Sequence, residues 1–279
     1  MISTDALARL LPDINTHVVD ASWHLSARDA VAEFEEEHIP GAVFFDIDEI
    51  AERTTNLPHM LPSPEAFAAA VGKLGISDQN HVVVYDSVGM FSAARVWWTF
   101  RAMGAAKVQV LDGGLPKWIA EGRPTEFGAA RPLPAQFEPR FRPELVRDLG
   151  GVREDLTQGQ VQVVDARPAQ RFAGQAPEPR AGLRSGHMPG AISQPLSGLI
   201  DADGRLLDAG ALRATLVQAG VDPAAPVTAT CGSGITAAGI ALALARLGND
   251  RAAVYDGSWA EWGSRSDVPV VIEPVTESG

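Results

Sequence analysis

The chain has 279 residues, enough for two domains of ordinary size or for one large α/β domain. Hydrophobic residues are 46% and charged residues 21%, a globular balance with apolar material for real cores. The formal net charge of −12 argues against nucleic acid or an anionic membrane as partner, because both reward Lys and Arg. A small anionic substrate stays open wherever basic residues gather.

The first residues, MISTDALARLLPDINTHVV, lack a basic start followed by a long apolar core, so no signal peptide is expected. No apolar run reaches the length of a membrane span. HVVDASW (17–23) supplies a first strand, and HIPGAVFFDID (38–48) a second turn-bounded one. PEAFAAAVGKLG (64–75) predicts a helix closed by Gly75. HVVVYDSVGMFSAARVWWTFRAMG (81–104) reads as strand, loop and helix, closed by Gly104, and VQVLDGGLPKW (108–118) as strand and turn. GRPTEFGAARPLPAQFEPRFRPEL (122–145) is proline-rich and aperiodic, which predicts an extended linker over the surface. The second half brings QVVDARP (162–168), HMPGAIS (187–193), a helix over GALRATLVQAG (210–220), PVTATCGSGITAAGIALALARLG (226–248) and AAVYDGSWAEW (252–262).

Four blocks therefore recur in the same order. Asp20 and Asp165 are 145 positions apart, Asp86 and Cys231 145, Trp118 and Trp262 144. Such a register predicts a duplicated domain. Strands alternating with helices predict an α/β fold in which each copy is a parallel sheet flanked by helices. The expected boundaries are an N-terminal domain over 1–125, a linker over 126–145 and a C-terminal domain over 146–279.

Cys231 is the only cysteine, so an internal disulfide is excluded, and a reducing compartment, most simply the cytoplasm, is expected. A lone cysteine is usually a packed small hydrophobe. Its setting here argues otherwise. The run VTAT ends at Cys231 and a helix starts near Thr236, which leaves Gly232 to Ile235 in a tight loop. Gly232 and Gly234 allow backbone angles that turn several N–H groups inward, and the following helix adds its positive end. Such a cradle stabilises a thiolate, the nucleophilic form of cysteine. A phosphate loop is excluded by the missing Gly-Lys-Ser/Thr ending. The first copy has Asp86 at the matching position, so it keeps the strand and the helix without the thiol. No Cys/His cluster has metal-ligand spacing, and neither metal nor other cofactor is expected.

HIPGA, HMPGA, the Asp-Gly-Gly and Asp-Gly-Ser blocks and CGSGIT resemble the two-domain sulfurtransferases of the rhodanese superfamily, and within it the 3-mercaptopyruvate sulfurtransferases, over nearly the whole chain. The resemblance implies two tandem rhodanese-like domains, the second catalytic. Thiosulfate-preferring members usually carry an Arg-Lys pair after the cysteine. Gly232, Ser233, Gly234, Ile235 and Thr236 instead resemble the mercaptopyruvate loop. RFAGQAPEPR (171–180) resembles the stretch in which the family places two substrate arginines, Arg171 and Arg180 here, and paired donors suit the planar carboxylate of a 2-oxo acid. FFDIDEIAERTTNLPHMLP (44–62) resembles the segment that supplies an aspartate and a histidine to the loop serine, which implies a relay of Asp48, His59 and Ser233. Without the resemblance, His59 reads as a loop histidine and Asp48 as a helix cap ahead of EIAERT. The implied reaction leaves a persulfide on Cys231, and a thiol such as thioredoxin, or cyanide, takes the outer sulfur.

His38 and His187 read as structural, and Trp97, Trp98, Trp118, Trp259 and Trp262 as packing. Two departures from the family pattern are an extra arginine, Arg184, expected near the site, and Phe91 where relatives carry tyrosine. Three rivals remain. A thiosulfate:cyanide sulfurtransferase is disfavoured by the neutral loop. A cysteine phosphatase is disfavoured by Ala237 where an arginine is needed. A non-enzymatic sulfur carrier is disfavoured by the full residue set.

Overall fold

The computed structural model describes residues 1–273 and divides them into two units, each built around its own parallel sheet. The first unit comprises Met1–Thr54, Leu61–Pro143 and Ile200–Leu206; the second comprises Thr55–Met60, Glu144–Leu199 and the chain from Leu207 on.

In chain order the first unit holds α1 (Thr4–Leu10), β1 (Thr16–Asp20), α2 (Ala30–Glu36), β2 (Val43–Phe44), α3 (Pro64–Lys73), β3 (His81–Tyr85), α4 (Ala93–Ala102), β4 (Lys107–Val110) and α5 (Gly114–Ala120). Its sheet order is β2-β1-β3-β4. β3, HVVVY, is buried along its whole length, as a central strand covered on both faces must be. α3 starts where the sequence sets a cap: the Ser63 hydroxyl accepts the Ala66 N–H, and Pro64 supplies a helical φ at the first turn. Gly75 and Gly104 follow their helices at φ 77° and 86°, as expected of left-handed caps.

The second unit holds β5 (Val146–Arg147), α6 (Leu149–Gln158), β6 (Gln162–Asp165), α7 (Ala169–Phe172), β7 (Ile192–Ser193), α8 (Ala209–Gln218), β8 (Val227–Thr230), α9 (Ala237–Arg246), β9 (Ala253–Tyr255) and α10 (Ser258–Trp262). Its sheet order is β5-β9-β8-β6-β7, all parallel. Asp148 and Asp208 cap α6 and α8. α9 is buried from Ala237 to Leu244, and Gly239 lets Leu196 approach where a Cβ would lie 2.5 Å from its Cδ1. This packing fixes the helix that follows Cys231.

The duplication extends to side-chain detail. His38 Nδ1 lies 2.7 Å from the Phe34 carbonyl oxygen and its ring stacks on Phe34. His187 Nδ1 lies 2.9 Å from the Phe172 carbonyl oxygen and its ring stacks on Phe172. Each histidine also forms a two-bond antiparallel bridge, His38 with Glu126 and His187 with Val271. The five named tryptophans are buried.

The proline-rich stretch is extended, yet it is fastened rather than loose. Ala135 and Arg140 donate backbone bonds to Gly72 and Met103, Arg142 donates to Ala102, and Phe137 is buried against Phe67 and Phe100. A Cβ on Gly72 or Gly104 would lie 2.6 or 2.5 Å from a carbonyl oxygen of this strap. Both glycines thus admit the strap, and Gly104 also closes α4. EIAERT forms no helix; the local turn is closed by Asp46, whose Oδ1 accepts the Asp48 and Glu49 N–H groups, so Asp48 is not a cap.

Candidate active site

β8 delivers Cys231 to a loop that runs to α9. Gly234 takes φ 81°, a region closed to most side chains. Cys231 is 2% exposed. Its N–H donates to Ser258 Oγ at 3.2 Å, and that hydroxyl donates to the Tyr255 carbonyl at 2.8 Å. The carbonyls of Cys231 and Gly232 accept the N–H groups of Trp259 and Ala260, both at 2.9 Å. The cysteine backbone is therefore laced to α10 on both sides.

Among the described residues, His59 (φ 61°) and Ser258 (φ 49°) are the non-glycine residues with positive φ. Both are buried and both touch this loop. His59 Nδ1 lies 3.0 Å from Ser233 Oγ, and Ser258 holds the Cys231 N–H. Backbone strain in a folded chain concentrates where surrounding contacts enforce a particular geometry, commonly a functional one.

The first unit supplies an internal control. Asp86 sits where Cys231 sits in the repeat, and its carboxylate fills its own loop. Oδ1 accepts the Val88 N–H at 3.1 Å, and Oδ2 accepts those of Phe91, Ser92 and Ala93 at 2.8, 2.9 and 2.9 Å. The Asp86 carbonyl accepts from Leu115 just as the Cys231 carbonyl accepts from Trp259. The repeat offset is 145 up to the loop glycines 89 and 234 and 144 from the helix starts 93 and 237, so the second loop is one residue shorter. By that register the amides of Ser233, Ile235, Thr236 and Ala237 correspond to the four that grip the Asp86 anion.

Arg171, at the end of α7, meets the loop directly: its Nη2 would lie 3.1 Å from a Cβ on Gly232, so glycine makes room for the guanidinium. Arg171 is anchored from behind by Glu178, whose Oε1 accepts its Nε–H at 3.3 Å and whose Oε2 accepts from Nη2. Glu178 also accepts from Arg167 Nη1 at 2.8 Å. Arg167 is 1% exposed, grips both oxygens of Asp165, donates to the Gly186 carbonyl, and lies 4.1 Å from the Trp259 ring centroid. Burial opposes its charge, but the carboxylates of Asp165 and Glu178 outweigh it and hold its pKa above the ordinary arginine value. Arg180 is half-buried at the end of the same loop. The span 166–200 carries four arginines and one acidic residue in a chain of net charge −12, so the basic residues do gather here.

Thus His59, Ser233, Cys231, Gly232 and Arg171 come together in the second unit. Asp48 belongs to the first unit, where its Oδ2 accepts the Trp23 indole N–H at 3.0 Å. Phe91 stacks on Trp23 with ring centroids 6.2 Å apart. Arg184, expected near the substrate, is engaged elsewhere: its guanidinium donates to the carbonyls of Trp262, which ends α10, and of Gly263 and Val268 beyond it. The negative end of that helix attracts it. Sequence reasoning missed Glu178, Arg167 and Ser258. One signal was available: Glu178 is the only acidic residue between Asp165 and Asp201. Among the described residues no group of three or more His, Cys, Asp or Glu is arranged to hold a metal, and no helix is long and apolar enough to cross a membrane.

The profile of the Rhodanese-like domain matches residues 3–121 and again 149–265. Thiosulfate/3-mercaptopyruvate sulfurtransferase 2 of Arabidopsis thaliana is 44% identical over 294 residues, covering 97% of this chain and 86% of the relative. The 3-mercaptopyruvate sulfurtransferase of Escherichia coli K12 is 42% identical over 277 residues, covering 98% of each. The crystal structure of SseA, a 3-mercaptopyruvate sulfotransferase from Escherichia coli, superposes with TM-score 0.84 at 39% identity, covering 93% of this chain and 98% of that one.

Proposed function

The chain belongs to the family of rhodanese-like proteins, and from that premise we propose that it is a 3-mercaptopyruvate sulfurtransferase working through a persulfide on Cys231. The observation that carries the proposal is the His59–Ser233 contact of 3.0 Å, two residues from the lone thiol. Relatives that bear this enzyme name along nearly the whole chain support it.

The Cys231 thiolate attacks the sulfur of 3-mercaptopyruvate. A sulfur–sulfur bond forms, the carbon–sulfur bond breaks, and its electron pair passes into the pyruvate enolate. Ser233 and His59 take the thiol proton and return one to the enolate, giving pyruvate. Asp48 is assigned to orient His59, an assignment that rests on the family resemblance alone. Arg171 and Arg180 bind the carboxylate and carbonyl of the donor. Amides of the loop from Gly232 to Thr236, with that of Ala237, balance the anionic sulfur, as their counterparts balance the Asp86 carboxylate. A thiolate such as that of thioredoxin, or cyanide, then takes the outer sulfur and frees the Cys231 thiolate. A reducing compartment, the cytoplasm, suits this exchange. The two halves predict ping-pong kinetics.

Thiosulfate is the second donor to consider, because the Arabidopsis relative carries both donor names. Initial rates of pyruvate release from 3-mercaptopyruvate, run beside thiocyanate formation from thiosulfate and cyanide, test the reading. Cys231→Ser abolishes both while the protein stays folded; sulfur transfer retained in that variant refutes the assignment.

A further inference from the structure

Glu178 lies beneath the donor arginine with its side chain 1% exposed. Pro177 and Pro179 fix the backbone on either side of it. A buried carboxylate between two guanidiniums is a poor source of stability, because desolvating the charges offsets much of their attraction. Its geometry points instead to Arg171. Arg167 already has Asp165, the Gly186 carbonyl and the Trp259 face, whereas Arg171 has its side chain 18% exposed and lies against Gly232.

Glu178 acts on Arg171 in two separable ways. Bonds to Nε and Nη2 orient the planar fork, which rewards a donor with a planar carboxylate. Its negative charge also cancels that of Arg171. Asp165 and Arg167 form a second neutral couple, and Cys231-Gly232-Ser233-Gly234-Ile235-Thr236 contributes no cation. Donors thus meet, beside Arg180, an oriented fork whose own charge is cancelled. That suits a monoanionic 2-oxo acid and gives little to a compact dianion.

We propose that Glu178 is a positioning residue that sets donor choice: by orienting Arg171 and cancelling its charge, it favours a planar monoanionic 2-oxo acid over a dianionic donor such as thiosulfate. The proposal rests on the sulfurtransferase reading of the site.

Steady-state kinetics with 3-mercaptopyruvate and with thiosulfate, on the full chain, separate the two effects. Glu178→Gln removes the charge at constant shape. KM for 3-mercaptopyruvate is expected to rise about tenfold, the size of one lost charge-assisted bond, with kcat within about twofold. kcat/KM for thiosulfate is expected to rise about threefold or more, and to fall more steeply with added salt than in the parent. Glu178→Asp keeps the charge and withdraws it by one methylene, so KM for 3-mercaptopyruvate rises by about threefold and thiosulfate use stays unchanged. An equal loss with both donors in Glu178→Gln, or an unshifted donor ratio, overturns the proposal. Where Glu178→Gln does not fold, Glu178→Asp carries the test: a raised KM with thiosulfate unmoved supports it, and no change in either overturns it. Parent protein inactive with both donors overturns the sulfurtransferase reading itself, and this proposal with it.

Discussion

Asp20→Asn is the substitution for which the structure gives the clearest number. Asp20 ends β1, is 1% exposed, and accepts the Ser22 N–H on Oδ1 at 2.8 Å. Burial pushes its pKa up from the ordinary 3.8 to about 6; bonds from Ser22 and Tyr85 oppose the rise, and the nearby Asp86 charge adds to it. Its counterpart Asp165 is equally buried but is gripped by Arg167. The first copy has Ser22 where the second has Arg167, so the Asp20 charge has no cation to balance it. A folded-state pKa above the unfolded one means that the native state binds the proton more tightly. The stability it confers is present below about pH 4 and is lost as the pH rises through about 6. At about 1.4 kcal/mol per pKa unit, the full loss is about 3 kcal/mol. Asparagine keeps the acceptor oxygen for Ser22 and cannot ionise. Urea unfolding of the full chain at pH 4, 5, 6 and 7 gives the free-energy difference between variant and parent. That difference is expected to move in favour of the variant by about 2.4 kcal/mol between pH 4 and 7, because the unfolded carboxyl is already more than half ionised at pH 4. Taking the difference removes the contributions of other titrating groups. A difference flat to within about 0.5 kcal/mol, or one that moves against the variant, refutes the reasoning.

Two further substitutions probe the loop. Gly232→Ala places a methyl 3.1 Å from Arg171 Nη2, which a flexible side-chain end accommodates by moving; the melting temperature should hold within about 2 °C while KM for 3-mercaptopyruvate rises about tenfold, and an unchanged KM counts against the role given to Arg171. Ser258→Ala deletes the acceptor of the Cys231 N–H and the donor to Tyr255 while leaving φ at 49°, at a cost of about 1–3 kcal/mol. Ser258→Gly loses the same bonds but relieves about 1 kcal/mol of left-handed strain, so its urea midpoint should lie above that of Ser258→Ala; the reverse order refutes the strain argument.

The repeat was legible because its signals are local. Helix-closing glycines, Pro-Gly-Ala turns and short β-branched runs carry their meaning within a few residues, and Gly75, Gly104, Gly220 and Gly248 all take the expected positive φ. The loop of Cys231 was legible for the same reason. What escaped depends on partners distant in the chain. That Thr55–Met60 joins the second unit is decided by packing that no periodicity records; the pairing of His59 with Ser233 was legible only through the family resemblance. Arg184 looked like a site residue because its sequence neighbours are; its true partners lie 78 to 84 positions away. Glu178 is a single letter between two prolines, and its importance comes from Arg167 and Arg171 converging on it.

The thiol-free copy bears most directly on how the active loop works. Four amides turned toward one carboxylate are costly to arrange without an anion, because buried N–H groups need partners. In the first unit the chain supplies that anion itself, as Asp86, and the loop is closed to anything else. In the second unit the same strand–loop–helix carries a cysteine, whose side chain has a single sulfur and no oxygens to spread over four donors. The loop there is one residue shorter, and by register the amides of Ser233, Ile235, Thr236 and Ala237 stand where the four donors to Asp86 stand; in the proposed reaction they are the donors available to the anionic sulfur. The duplication therefore kept the strand–loop–helix in both halves and changed its occupant from a permanent carboxylate to a thiol, the group on which the proposed sulfur transfer depends.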